Sequence, residues 1–327
     1  MNVGAFSIRK IIGGIPLILG VTIVSFLLMV YFGPDLTYEL LGKNPSPEAI
    51  KEIRKMLGYD QPFWQRYASY LGELMRLDFG LSMVKDQPVS AMLHQSIPVS
   101  LLLMLPGFIL GNILALVLAM HAAIHRGLWQ DKCIMAIAVF GMSISFLVVI
   151  ISFQLLLSSS YGLDWFPVRG WLIESADGSF SWYQYLHHVT VPTLAIIFVS
   201  LGYNTRFYRA VLVEQSHKDH IVTAKAFGHK AHTINYLYML KNAMTPIITR
   251  VLFSIPLVVV SGSLLIESYF GIPGIGLVTF DAIIAGDQPV LKAIVSLTAI
   301  LFVLVIIIAE ILYYIFDPRI TLLSTGQ

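Results

Sequence analysis

The chain has 327 residues, of which 57% are hydrophobic and 12% charged, and a formal net charge of +2. Soluble domains run at about 25% charged and roughly 45–50% apolar residues, so a water-soluble globule and a disordered chain are both excluded. A single cysteine, Cys133, excludes a disulfide scaffold, and the small net charge without a long basic run gives no footing for nucleic acid.

A helix that crosses a bilayer needs about 20 mainly apolar residues, because the hydrocarbon core is ~30 Å thick. Six windows are read as spans: 11–32, 97–122, 133–158, 189–213 (apolar over 189–205 and running on to a cytoplasmic end near 213), 246–267 and 291–316. Backbone groups in lipid must be satisfied within their own segment, so these windows predict helices, and their uninterrupted apolar runs exclude barrel strands. The first window is longer than the roughly 7–15 apolar residues of a signal peptide and is expected to be a retained span. The expected fold class is therefore an all-α polytopic membrane protein with six transmembrane helices.

Lys and Arg in the loops set the orientation. If residues 1–10 are cytoplasmic, the inner segments hold Arg9, Lys10, Arg126, Lys132, Arg206, Arg209, Lys218, Lys225, Lys230, Lys241 and Arg319. Only Asp131, Glu214, Asp219 and Asp317 oppose these eleven basic residues. Both termini, including the 317–327 tail, are expected on the cytoplasmic side. Segments 33–96, 159–188 and 268–290 then lie outside; the last has Asp281 and Asp287 and no basic residue.

Segment 33–96 reads as short helices. Ser46-Pro47-Glu48 is an N-cap, a proline at the first helical position and an early acid, with Gly58 as the stop. A second helix is expected from Pro62, with Phe63, Tyr67, Tyr70, Leu71 and Leu74 on one face. So little apolar surface would be marginal alone, so the segment is expected to lie against the ends of the spans. In the inner segment 214–245, Asp219 is expected as the N-cap of a helix through Phe227, with Gly228 in a left-handed cap. Eight residues are too few for an independent helix. A second amphipathic helix is expected from Thr233 to Leu240. Short helix, small centre (Thr223, Ala224, Ala226), glycine stop and return helix describe either a segment that docks into another protein or a surface loop without a partner.

Here the residues resemble a known family. Asp219 to Gly228, followed by Asn242-Ala243 and by Pro246 eighteen residues after the glycine, are similar to the EAA loop of binding-protein-dependent ABC importer permeases. The likeness is to the B-type subunit of the dipeptide/oligopeptide/nickel branch and extends over almost the whole chain. Leu57-Gly58-Tyr59-Asp60-Gln61-Pro62, Leu77-Asp78-Phe79-Gly80 and Gln87-Pro88-Val89 look like its external segment. Trp165-Phe166-Pro167-Val168 with Gly170 resembles its "LPVSG" stretch. Glu267, Phe270-Gly271-Ile272-Pro273-Gly274-Ile275-Gly276 and Asp317-Pro318-Arg319 look like its "E…F…PG(L/I)G" and "DPR" marks. Two departures stand out. Ser145 replaces the proline of a Ser-Ile-Pro in the third span, from which a weaker kink is expected, and Thr223 stands where the loop's name-giving glutamate would be.

The resemblance implies a type I importer permease in the bacterial inner membrane, forming half of a peptide pathway. A second, C-type permease would form the other half. Two ATPase subunits would use ATP and Mg, and a periplasmic or lipid-anchored binding protein would deliver substrate. It implies ATPase coupling through Asp219, Thr223, Ala224, Lys225, Ala226, Gly228, Asn242 and Pro246. Glu267, Gly271, Pro273 and Gly274 become candidates for an outer gate or a binding-protein contact. No cofactor is expected on this chain, nor catalysis by it; it contains no GxxxxGK[ST] phosphate loop.

Other features carry less. His217/His220, His229/His232 and His121/His125 have helical spacing but no cysteine or acid cluster to complete a metal site. Arg206 and Arg209 read as anchors at the inner end of span four, or as contacts to a partner. A secondary transporter or channel is the alternative function and would call for mid-membrane carboxylates or repeated halves. An embedded enzyme would need a nucleophile with its base inside a span, and none is visible.

Overall fold

The computed structural model describes residues 3–32, 37, 41, 46–56, 58–174, 178–259 and 263–316. Leu57 and Asp317-Pro318-Arg319 lie outside them. Regular structure among these residues is helical, apart from two isolated antiparallel bridges, Leu81 to Pro88 and Glu174 to Phe180. The helices are α1 (Val3–Phe32), α2 (Pro47–Met56), α3 (Phe63–Arg76), α4 (Val89–Ile124), α5 (Trp129–Ser143) and α6 (Phe146–Leu157). There follow α7 (Trp182–Ser216), α8 (Asp219–Ala226), α9 (Lys241–Leu257), α10 (Ser263–Phe270), α11 (Ile275–Ala285) and α12 (Gln288–Phe316). Among the described residues three helices are by themselves long and apolar enough to cross a membrane: Val89–Ile124, Trp182–Ser216 and Gln288–Leu312. The pairs α5–α6 and α10–α11 also qualify if each counts as one broken span, and Ile12–Leu28 is an apolar stretch within α1.

Contacts divide the chain into two units, residues 1–96 with 278–307 and residues 97–277 with 308 onward. In the first unit the short helices find their stability in packing. Ser46 caps α2 by accepting the Ala49 N–H at 3.2 Å. From α3, Tyr67, Tyr70 and Leu74 are buried. Phe26 of α1 lies 5.5 Å from the Phe63 ring, 5.6 Å from Tyr67 and 5.2 Å from Tyr70. The hydroxyls are used as well: Tyr67 donates to Leu19 O at 3.0 Å, and Tyr70 shares a 2.7 Å bond with Ser296 of α12. Lys292 holds Glu73 at 2.5 Å.

The second unit is organised around α7. Gly107 and Gly111 of α4 sit one turn apart, and a Cβ on either would come within 2.8 Å of Ile196 or Ser200 of α7. Small residues at this spacing let two helix backbones approach, the usual route to association in lipid. Asn112 adds polar adhesion, its Oδ1 accepting from Asn204 Nδ2 at 3.1 Å and Tyr208 OH at 2.5 Å. On another side a Cβ at Gly202 would meet Met142 N of α5 at 2.7 Å.

The third apolar window does not form a gently bent helix. α5 and α6 meet at 100°, with Ile144 at φ −88°, ψ 135° and Ser145 at φ −60°, ψ 137°. The weaker kink expected from the missing proline is thus not found. Ser145 already adopts the φ that a proline ring would impose, and Ile144 the extended conformation of a residue before proline. Ser143 also turns its hydroxyl back onto Val139 O at 2.7 Å, a bond that competes with helix continuation.

Candidate functional site

The segment after α7 is held to the body by one face. In α8, Ile221 and Ala224 stand three residues apart, so both point to the same side, and they are 2% and 3% exposed. They join Tyr208 and Leu212 of α7 and Ile234, Met239 and Ala243 of the return segment in one apolar cluster. The opposite face is open. Asp219, Thr223, Lys225, Ala226 and Gly228 are all exposed, and two apolar side chains stand out among them, Val222 at 59% and Phe227 at 79% exposure.

The end of α8 is closed by two reverse bonds. Gly228 N–H donates to Lys225 O at 2.9 Å and His229 N–H to Ala224 O at 3.2 Å. With Gly228 at φ 74°, this is a Schellman motif, which satisfies carbonyls that the helix leaves orphaned. Asp219 is not the N-cap. Lys218 holds that position without a side-chain bond, and Asp219 is the first helical residue, where its charge faces the positive end of the helix dipole. The return segment also departs from expectation: 231–233 is one helical turn, and Ile234–Leu240 is a π-helix that runs straight into α9. Its two buried residues, Ile234 and Met239, are five apart; α-helical winding would rotate them about 140° from each other, whereas an i→i+5 turn aligns them. Asn242 is exposed, with its side-chain amide donating to Tyr238 O at 2.6 Å, and Pro246 is half-buried within α9. Ala224 thus belongs to the clamped face, the other five positions of α8 and its cap to the open one, and Asn242 and Pro246 to the return helix.

A second fastening was not legible as such. Asp131, 4% exposed, takes both arms of Arg209, Nε to Oδ1 at 2.5 Å and Nη2 to Oδ2 at 2.6 Å, and also the Gly127 N–H at 2.9 Å. Arg209 is therefore neither a lipid anchor nor free for a partner; it ties α7 to the start of α5. The hydrogen-bonded guanidinium holds the Asp131 carboxyl below its ordinary pKa, against the opposing pull of burial. Nearby, Arg126 and His217 are paired at 2.6 Å. The one sequence signal was the isolation of Asp131 among basic residues. Among the described residues no three His, Cys, Asp or Glu side chains converge as metal ligands would.

Glu267 lies in α10 and is wholly buried. Its Oε2 accepts the N–H groups of Gly276 at 2.7 Å and Leu277 at 3.2 Å, and Ser100 Oγ accepts the Ile275 N–H at 2.7 Å. The first three N–H groups of α11 are thus satisfied from outside the helix. A Cβ at Gly274 would come within 2.3 Å of the carboxylate, and one at Gly276 within 2.4 Å of the Ser263–Leu264 backbone. Gly271, at φ 68°, turns the chain out of α10. Arg169 closes that helix from the side, donating to Tyr269 O at 2.8 Å, while Gly170 N–H bonds to Phe270 O at 2.8 Å. The glycine-proline string is a wrap around one buried acid, with Ser100 and Arg169 as supports that sequence alone did not single out. Pro273 sits within the wrap, and the Glu267 carboxylate is enclosed by it.

Residues 111–322 match the family described as binding-protein-dependent transport system inner membrane component, and residues 3–104 match its N-terminal counterpart. An oligopeptide transport system permease of Bacillus subtilis is 31% identical over 318 residues, covering 97% of this chain and 99% of the relative. A dipeptide transport system permease of Lactococcus lactis is 31% identical over 307 residues, covering 94% and 95%. A glutathione transport system permease of Escherichia coli is 29% identical over 315 residues, covering 96% and 98%. The chain belongs to the family of binding-protein-dependent transport system inner membrane components.

Proposed function

We propose that this chain is the transmembrane permease subunit of an ATP-driven importer, forming half of a path for short peptides delivered by an extracytoplasmic binding protein. Relatives named for oligopeptide, dipeptide and glutathione transport support the substrate class. The proposed topology is six spans with both termini cytoplasmic, supported by the Lys and Arg bias of the loops. A second, homologous permease and two ATPase subunits complete the assembly in the bacterial inner membrane. The partners hydrolyse ATP, and this chain contributes no catalytic group.

One observation carries the coupling role: α8 is clamped to the body by Ile221 and Ala224 while Val222 and Phe227 stand exposed on the other face. A helix too short to persist alone transmits a push only if it is fixed to what must move, and this one is fixed through the α7 and α9 core. ATP-driven closure of the ATPase pair would shift the permease between inward- and outward-facing states through that contact. Asp219, Thr223, Lys225, Ala226 and Gly228 shape the contact face, and Asn242 and Pro246 shape the return. At the other end, Glu267, Gly271, Pro273 and Gly274 form a stiff turn that we assign to the outer gate region. Reconstituting the complete complex in liposomes tests the proposal. Binding-protein-dependent, ATP-dependent peptide uptake is expected; ion-gradient-driven transport by this chain alone would overturn it.

A further inference from the structure

A second construction, in the first unit, has no part in the coupling path. The hairpin before α4 is pinned by a buried acid: Asp287, 3% exposed, accepts the Ser82 hydroxyl at 2.5 Å and the N–H groups of Met83 and Val84 at 3.3 and 3.4 Å. That carboxylate is committed to the hairpin. Beside it opens a cavity of about 290 Å³ walled by Val84, Met92, Phe280 and Ile284 and lined also by Lys85 and Asp281. Lys85 and Asp281 stand 3.8 Å apart with side chains 45% and 49% exposed. An ion pair so long and so wet contributes little to stability and opens readily.

We propose that this cavity is a subsite for an apolar side chain of a short peptide, whose terminal carboxylate meets Lys85 and whose terminal ammonium meets Asp281. The inference rests on the peptide-importer reading. The lining selects the occupant: an apolar wall receives the side chain, and one cation beside one anion complements a zwitterion. Ligand pockets span about 300–1,000 Å³, so this one holds a single side chain with its neighbouring backbone and not an entire oligopeptide.

The test uses the complete reconstituted complex and compares uptake of Ala-Ala with that of Leu-Leu. Val84→Trp, on the exposed side of the hairpin, fills the cavity; uptake of Leu-Leu is expected to fall about tenfold relative to Ala-Ala. Lys85→Glu is expected to lower uptake of both, and adding Asp281→Lys, which restores the pair with reversed polarity, is expected not to rescue it. Full rescue by the double exchange would mean the pair is only structural and would overturn the inference. As a check independent of variant activity, a cysteine placed by Val84→Cys in a Cys133→Ser background is expected to be shielded by Leu-Leu from an impermeant thiol reagent. Equal labelling with and without peptide would overturn the subsite, as would shielding by lipid alone. A wild-type complex that moves no peptide overturns both readings; peptide uptake with an unchanged size preference in Val84→Trp overturns the subsite alone.

Discussion

Gly228 holds the left-handed conformation that ends α8, at φ 74°, with open space where a Cβ would go. A side chain there meets no neighbour, so the penalty is purely backbone, about 1–3 kcal/mol and greatest for a β-branched residue. Gly228→Val is expected to leave membrane insertion intact while uncoupling ATP hydrolysis from uptake, measured as peptide moved per ATP in proteoliposomes. Glu267 behaves in the opposite way, because its whole value lies in contacts. Glu267→Ala orphans two buried N–H groups, each costing about 1–3 kcal/mol, and should lower the thermal midpoint of the purified complex more than Glu267→Gln. Gly274→Ala drives a Cβ into the same carboxylate, so its cost should shrink in a Glu267→Ala background, a coupling read from a double-mutant cycle. Asp131 gives a pH signature. Its carboxyl titrates lower in the folded protein than in the unfolded chain, so its stabilisation is present above the ordinary Asp pKa of about 4 and is lost as pH falls through the depressed value. The stability gap between wild type and Asp131→Asn, measured by thermal melting, should be full at pH 7 and close only in acid.

At the scale of elements, the break between α5 and α6 shows how a bend can outlast the residue usually credited with it. Ser145 is at φ −60° and Ile144 is extended, a backbone already suited to proline. Ser145→Pro is therefore expected to keep the fold and raise stability by about 0.4–1 kcal/mol through the unfolded chain, measured as a higher melting midpoint. The caps read well from sequence, because they depend on local chemistry: Ser46 caps α2, and Gly228 closes α8. The eight-residue α8 was also legible, though one residue of its start was not: Asp219 suits the cap, yet it is the first helical residue, where its charge also suits the helix dipole. The π winding of 234–240 was not legible. It answers to where Ile234 and Met239 must bury, which is set by α7 and α8 rather than by the segment itself. Ser100 and Arg169 carry no local signal for the same reason, their roles being defined by backbone groups about 175 and 100 residues away.

For the molecule as a whole, the distribution of exposed apolar groups is the physical statement of what it is. Leu101, Leu105, Ile109, Ile113 and Val117 form an exposed apolar stripe along α4, while Gly107, Gly111, Ala115 and Ala119 lie on the side that meets α7 or the buried cluster. Such a helix would associate indiscriminately in water and is at ease against lipid tails. The exposed Val222 and Phe227 differ, because they lie in the loop between spans, where the proposed topology puts them in water and leaves a protein partner to cover them. A photo-crosslinking residue in place of Phe227, in the assembled complex in native membranes, measures that contact directly. An adduct with an ATPase subunit is expected, with a yield that changes when ATP is hydrolysed. Active peptide uptake with no adduct to any ATPase subunit would contradict the coupling role.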